Sequence, residues 1–248
     1  IDSPIKDPGS LRGSAWLTLQ TRHAGRLIKG RPGQAGKPPI VGLLGFAERL
    51  RILWQGTLAD DPYAEWWLVK VDRVLAGAAE NLEALRAGVD ACFASHEGLE
   101  IEVPASQQPT RVKLQFANPY AYRGAQLLAA YDGCARRVLS ARHVALVNRE
   151  EAERFLHQGA KPLRHAFGSA LGYRFLGVTR AEIEQQTARA KQAAESMGEL
   201  PPEILSGELS ASLLPNRVVA ASGDSVASVL QILCVSRRPR FHHAGGRQ

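Results

Sequence analysis

The polar and apolar positions of this chain fall into two short alternating runs and several long helical ones. From Ala15 to His23 the residues alternate, with Leu17, Leu19 and Thr21 on one side and Thr18, Gln20 and Arg22 on the other. Arg111 to Phe116 repeats the pattern: Arg111, Lys113 and Gln115 against Val112, Leu114 and Phe116. Successive strand side chains point to opposite faces, so both runs predict half-buried strands. A third short strand is expected around Leu99 to Val103. Between the first strand and the next helix, Lys29 to Pro39 (KGRPGQAGKPP) is a loop of the kind that ends regular structure.

Helical spacing dominates the rest. Leu43, Phe46, Ala47, Leu50, Leu53 and Trp54 predict a helix over about Val41–Gln55. Asp61 is a suitable N-cap with Pro62 at the first helical position. From there Leu68, Val71, Leu75, Ala78, Leu82, Leu85, Val89 and Cys92 recur at alternating spacings of three and four, a heptad-like seam predicting one helix over Pro62–Ala94. Its partner is either the next helix folded back on it or the same helix of a second subunit. Asn118 and Pro119 open that next helix, expected to run to about Val144. Asn148 with Glu151 forms a capping box for a helix Arg149–His157 stopping at Gly159, and Thr179 with Glu182 opens a polar helix to Met197, ended by Pro201 and Pro202. The fold class is therefore mostly α with a few short β-strands (α+β) around a long helical hairpin core. Residues 1–14 read as a flexible leader, 15–208 as a single mainly helical domain and 209–248 as a weakly ordered basic tail.

Charge adds an asymmetry. The net charge is +7, yet residues 60–102 carry ten acidic against three basic side chains and residues 103–180 twelve basic against four acidic. Segregated basic blocks point to a polyanion or an acidic protein partner, or neutralise the acidic block inside one fold. No apolar run approaches the roughly 20 residues that span a bilayer, so no membrane partner is expected. Cys92, Cys134 and Cys234 are odd in number and widely separated, which suits reduced thiols in a cytoplasmic protein better than a disulfide framework or a zinc site.

Catalytic signatures are sparse. The chain has no G-x-x-x-x-G-K-[ST] phosphate loop, no G-x-G-x-x-G turn and no G-x-S-x-G elbow. His143 and His165 lie beside Arg142 and Arg164, where a phosphate contact is conceivable but a packed or surface histidine is the expectation. Asp60–Asp61 and Glu150–Glu151 sit at helix starts and favour the dipole there. No enzyme activity, cofactor or metal is expected. Trp66–Trp67 is a candidate contact surface, with one of the pair expected in the core.

The chemistry that remains is DNA binding. Arg111, Lys113 and Gln115 suit base edges and phosphates if their strand enters a groove as part of a two-stranded ribbon. The second strand would come from a twofold mate or from the Thr18–Gln20–Arg22 run. Arg123, Arg136, Arg137 and Arg142 are the candidate phosphate contacts. A solvated strand face and helix face would read the same way.

LTLQTRHAGRLIKGR, DDPYAEWWL, RVKLQFANPYAYRGAQLLAAYDGCARRVLSARHVAL and GYRFLGVTR, spanning Leu17 to Ser206 in order, resemble a family of integrating-conjugative-element proteins. That family is similar to the AcaB-like transcriptional regulators of conjugative plasmids. The resemblance implies an embedded ribbon-helix-helix element, dimeric, in which strand residues Arg111, Lys113 and Gln115 read double-stranded DNA. It makes the expected function DNA-binding regulation of such an element, with a non-catalytic accessory factor contacting a protein of the conjugation machinery as the alternative.

Overall fold

The computed structural model describes residues 14–94 and 101–215. The leader, but for Ser14, lies outside these residues, as do Cys234 and the tail beyond 215. The elements run β1 (Ala15–Leu19), α1 (Arg22–Lys29), β2 (Gly30–Arg31), β3 (Ile40–Val41), α2 (Leu43–Leu58), α3 (Pro62–Ala94), β4 (Thr110–Leu114), α4 (Pro119–His143), α5 (Arg149–Gly168), α6 (Arg180–Glu184), α7 (Ala188–Met197) and α8 (Pro202–Ser206). Packing divides the described residues into two compact units, those within Ile1–Glu48 and Arg73–Ser169 and those within Arg49–Asp72 and Ala170–Gln248. Helices α2 and α3 contribute residues to both.

In the first unit α4 and α5 pack as a hairpin, whereas the sequence pointed to one between the 62–94 helix and the helix from Pro119. Asn118 accepts from the Ala121 N–H at the start of α4, and the Asn148–Glu151 capping box starts α5. The Tyr131 hydroxyl donates to the Leu156 carbonyl at 3.1 Å and joins the two helices. The seam of α3 closes against this hairpin: Leu82 and Val89 are buried, and Leu85 lies at the point where Gly159 meets Tyr131. Of the two partners foreseen for the seam, the intramolecular one is realised. An accessory factor contacting its partner through an exposed seam loses that surface, because Leu68, Val71, Leu75, Ala78, Leu82 and Val89 are all buried within this chain.

β1 and β4 pair antiparallel, Leu17 opposite Val112, as a two-stranded ribbon whose inner side chains Leu17, Leu19 and Leu114 are buried. β2 and β3 form a small hairpin, and the Lys29–Pro39 loop is mostly its tip.

Several expectations change. The first strand stops at Leu19 instead of His23, because Thr21 caps an unforeseen helix α1: its hydroxyl accepts from the Ala24 N–H. Residues 101–103 form no strand; the Val103 carbonyl is taken by the Arg136 guanidinium and not by a neighbouring strand. α5 runs through Gly159 to Gly168, because that glycine is a contact rather than a stop. A Cβ there would stand 2.8 Å from Leu85 Cδ2 and from Tyr131 Cε2. The helix expected from Thr179 to Met197 breaks into α6 and α7 at Gln186, whose φ is 51°. Pro202, expected as a terminator, starts α8.

In the second unit Asp61 caps α3 by accepting from the Tyr63 and Ala64 N–H groups, and the Tyr173 hydroxyl donates to its other oxygen at 2.7 Å. Arg180 bridges Asp60 and Glu65, each at 2.5 Å. Trp67 is buried with its indole N–H on the Leu171 carbonyl, while Trp66 is half-buried. The Lys70 ammonium sits 3.2 Å and 3.7 Å from the two ring centroids, and burial lowers its pKa.

Candidate nucleic-acid interface

The outer face of the β1–β4 ribbon is built by the alternation itself. Since Leu17, Leu19 and Leu114 point inward, Trp16, Thr18, Arg111 and Lys113 point outward. The register sets Trp16 opposite Lys113 and Thr18 opposite Arg111. Trp16 is 47 % exposed, unusual for so large an apolar side chain. The Arg111 guanidinium lies 4.5 Å from its ring centroid and the Lys113 ammonium 6.0 Å, so two cations lie against one aromatic ring. Gln115, one residue past the strand, is exposed. Pairing with the N-terminal strand was one of the two options in the sequence; it brings in Thr18, named in that option, and Trp16, which had not been a candidate. The signal for Trp16 was present: a tryptophan on the polar side of an alternating run.

The remaining candidates divide. Gln20 lies beyond the strand, where its side-chain oxygen accepts from the Ser106 N–H at 2.8 Å. Arg22 is not a strand residue but the exposed first residue of α1. Arg136 donates to the carbonyls of Val103 and Pro104 at 3.0 Å each, so it anchors the segment preceding β4. Arg137 is committed to Asp90 at 2.5 Å and lies 5.1 Å from the Phe93 ring. Arg123 is half-buried over the Tyr120 ring at 5.4 Å. Arg142 is exposed in the last turn of α4. A guanidinium already bound to carbonyls or to an acid has less to offer a phosphate. The outward set is therefore Arg111, Lys113, Arg22 and Arg142 with Gln115, not the full list.

What holds the ribbon in place is Asp132, a buried carboxylate in the middle of α4. It accepts from the Gln20 N–H at 2.7 Å and from the Thr21 N–H and hydroxyl at 2.9 and 2.7 Å. It thereby fixes the turn between β1 and α1.

The model of the transcriptional regulator AcaB family matches residues 7–217. The chain belongs to the AcaB family. No curated protein matches the chain. Among solved structures, it is similar to the selenomethionine-containing AcaB from uropathogenic E. coli, with 14% sequence identity and a TM-score of 0.43 over 79% of this chain and 95% of that one. Membership of the AcaB family makes this a transcriptional regulator by family, mostly helical with few strands. No helix among the described residues is long and apolar enough to cross a membrane.

Proposed function

We propose that this AcaB-family protein is a non-catalytic, cytoplasmic regulator of an integrating conjugative element, acting as a homodimer that binds double-stranded DNA through the β1–β4 ribbon. The observation that carries the reading is the outward juxtaposition of Arg111 and Lys113 on the exposed Trp16 ring. A major groove admits a two-stranded ribbon, and there Arg and Lys donate to guanine O6 and N7 and an apolar ring meets a thymine methyl. Arg22 and Arg142 serve as phosphate contacts, which set affinity and its salt dependence without reading sequence.

The test is a salt series of binding to random duplex DNA and to promoter fragments of the element that encodes the protein. A steep salt slope with preference for one fragment is the expected result. The Arg111→Ala/Lys113→Ala pair should then lose that preference with its circular dichroism unchanged. Retained preference in the pair removes the ribbon from the site.

A further inference from the structure

The first unit contains a cleft that the proposed DNA surface does not use. It has a volume of about 580 Å³ and is walled by α1, the β2–β3 hairpin, α4 and α5. That size falls within the roughly 300–1,000 Å³ typical of small-ligand sites. Arg26, Arg31 and Arg164 line it from three different elements. Among the described residues no carboxylate pairs with any of the three. The acid of the cleft, Glu153, is engaged at 2.9 Å by Arg149, which lies outside the lining. Arg31 donates from Nη2 to the Pro38 carbonyl, while its Nε is buried without a partner among the described residues. Leu27, Ile40 and Leu156 supply apolar wall between these cations.

Fold requirements account for only part of this. Arg26 stands in the last turn of α1, where a cation offsets the helix dipole. Arg31 sits in β2 and has no such role. Three arginines against the single carboxylate of Glu153 give the lining a positive balance, and a bound anion offsets it. Guanidinium forks match the oxygens of a phosphate, and the apolar wall suits a flat organic body beside it. His23, also in the lining, has its pKa lowered first by burial and then by the positive charges of Arg26 and, from outside the lining, Arg142.

We propose that this cleft binds a small phosphate ester, a nucleoside monophosphate in size and chemistry. Its occupant would touch α1, which begins at the third residue after β1, so the test includes a DNA arm.

Titration calorimetry of the full chain, at constant ionic strength and without DNA, would use the four common nucleoside 5′-monophosphates and inorganic phosphate as probes. At least one nucleotide should saturate with a dissociation constant below 1 mM, at least ten-fold tighter than inorganic phosphate. Arg164→Ala should weaken it ten-fold or more. Arg26→Gln, at an exposed position, should weaken it measurably, with no more than the small drop in the thermal midpoint of the unliganded protein that loss of a cation from the last turn of α1 brings. Duplex binding by the same variants should stay within two-fold. Absence of saturable nucleotide binding, inorganic phosphate binding equally well, or indifference to both substitutions overturns the proposal. Loss of duplex binding in these variants without nucleotide binding assigns the arginines to the DNA backbone, and overturns it too.

Discussion

Asp132 Oδ1 accepts both the backbone N–H and the hydroxyl of Thr21, a residue 111 positions away in the sequence. The other oxygen takes the Gln20 N–H. One carboxylate thus satisfies three donors at the point where β1 ends and α1 begins. Hydrogen bonds to a charged acceptor contribute about 1.5–3 kcal/mol each, and buried donors left unpaired cost a further 1–3. Asp132→Ala should therefore lower unfolding stability by about 3–5 kcal/mol, because solvent reaches part of the junction. Thr21→Val, which removes only the hydroxyl, should cost about 1–2 kcal/mol. Urea titration reads both, and equal losses would contradict this division of labour.

The second unit should carry a pH signature. Burial pushes the Asp61 carboxyl up to about 6, against the hydrogen bonds from Tyr173, Tyr63 and Ala64, which favour its charged form. In the unfolded chain the same group titrates near 3.8. Between these values the folded state holds more protons than the unfolded one, so this group makes stability rise as pH falls from about 6 towards 4. Asp61→Asn retains the capping oxygen and removes the titration. Its denaturation midpoint should exceed that of the parent at pH 7, and the gap should close on acidification to pH 4.

Two helical glycines should answer alanine in opposite directions. At Gly159 the new Cβ would meet Leu85 and Tyr131 at 2.8 Å, an overpacking expected to cost about 1–3 kcal/mol even after the gain in helix propensity. At Gly77 nothing lies within 4 Å, so Gly77→Ala should stabilise by up to about 1 kcal/mol. Thermal midpoints moving the same way in both variants would rule out the packing role assigned to Gly159.

Arg136 and Arg142, both on α4, should separate stability from DNA affinity. Arg136→Ala frees the carbonyls of Val103 and Pro104 and should cost about 1 kcal/mol in urea, because the side chain is partly solvated. Arg142→Ala should leave stability within about 0.5 kcal/mol. It should flatten the salt slope of DNA binding by about one phosphate contact. Exchanged phenotypes would reverse the assignment made from their contacts.

The elements legible in the sequence were those whose signals are local. Asp61–Pro62 and the three–four spacing of Leu68 to Cys92 place α3 at Pro62–Ala94. Asn118, Asn148 and Thr179 each mark a helix start within four residues, and each accepts the expected N–H. α1 was hidden because Leu17 to Arg22 alternates like one longer strand, and the carboxylate that ends the strand belongs to a helix far along the chain. Gly159 misled for a related reason: a glycine that terminates a helix and one that admits a neighbouring ring look alike in one dimension. Outward Arg111 and Lys113 followed from alternation, whereas their proximity to Trp16 depends on pairing between distant segments. Arg136 and Arg137 looked like free cations because the carbonyls and the acid they bind are not their neighbours in sequence.

The separation of β1 from β4 carries a consequence for synthesis. The ribbon joins a strand near the beginning of the chain to one that emerges from the ribosome only after all of α3 has been made. Loop closure of that span precedes any gain from the pairing, so this surface belongs among the later events of folding. A truncated product ending before Thr110 has the Trp16 strand but neither Arg111 nor Lys113. Fragments from aborted translation would therefore carry the exposed ring of Trp16 without the two cations that lie against it in the finished chain.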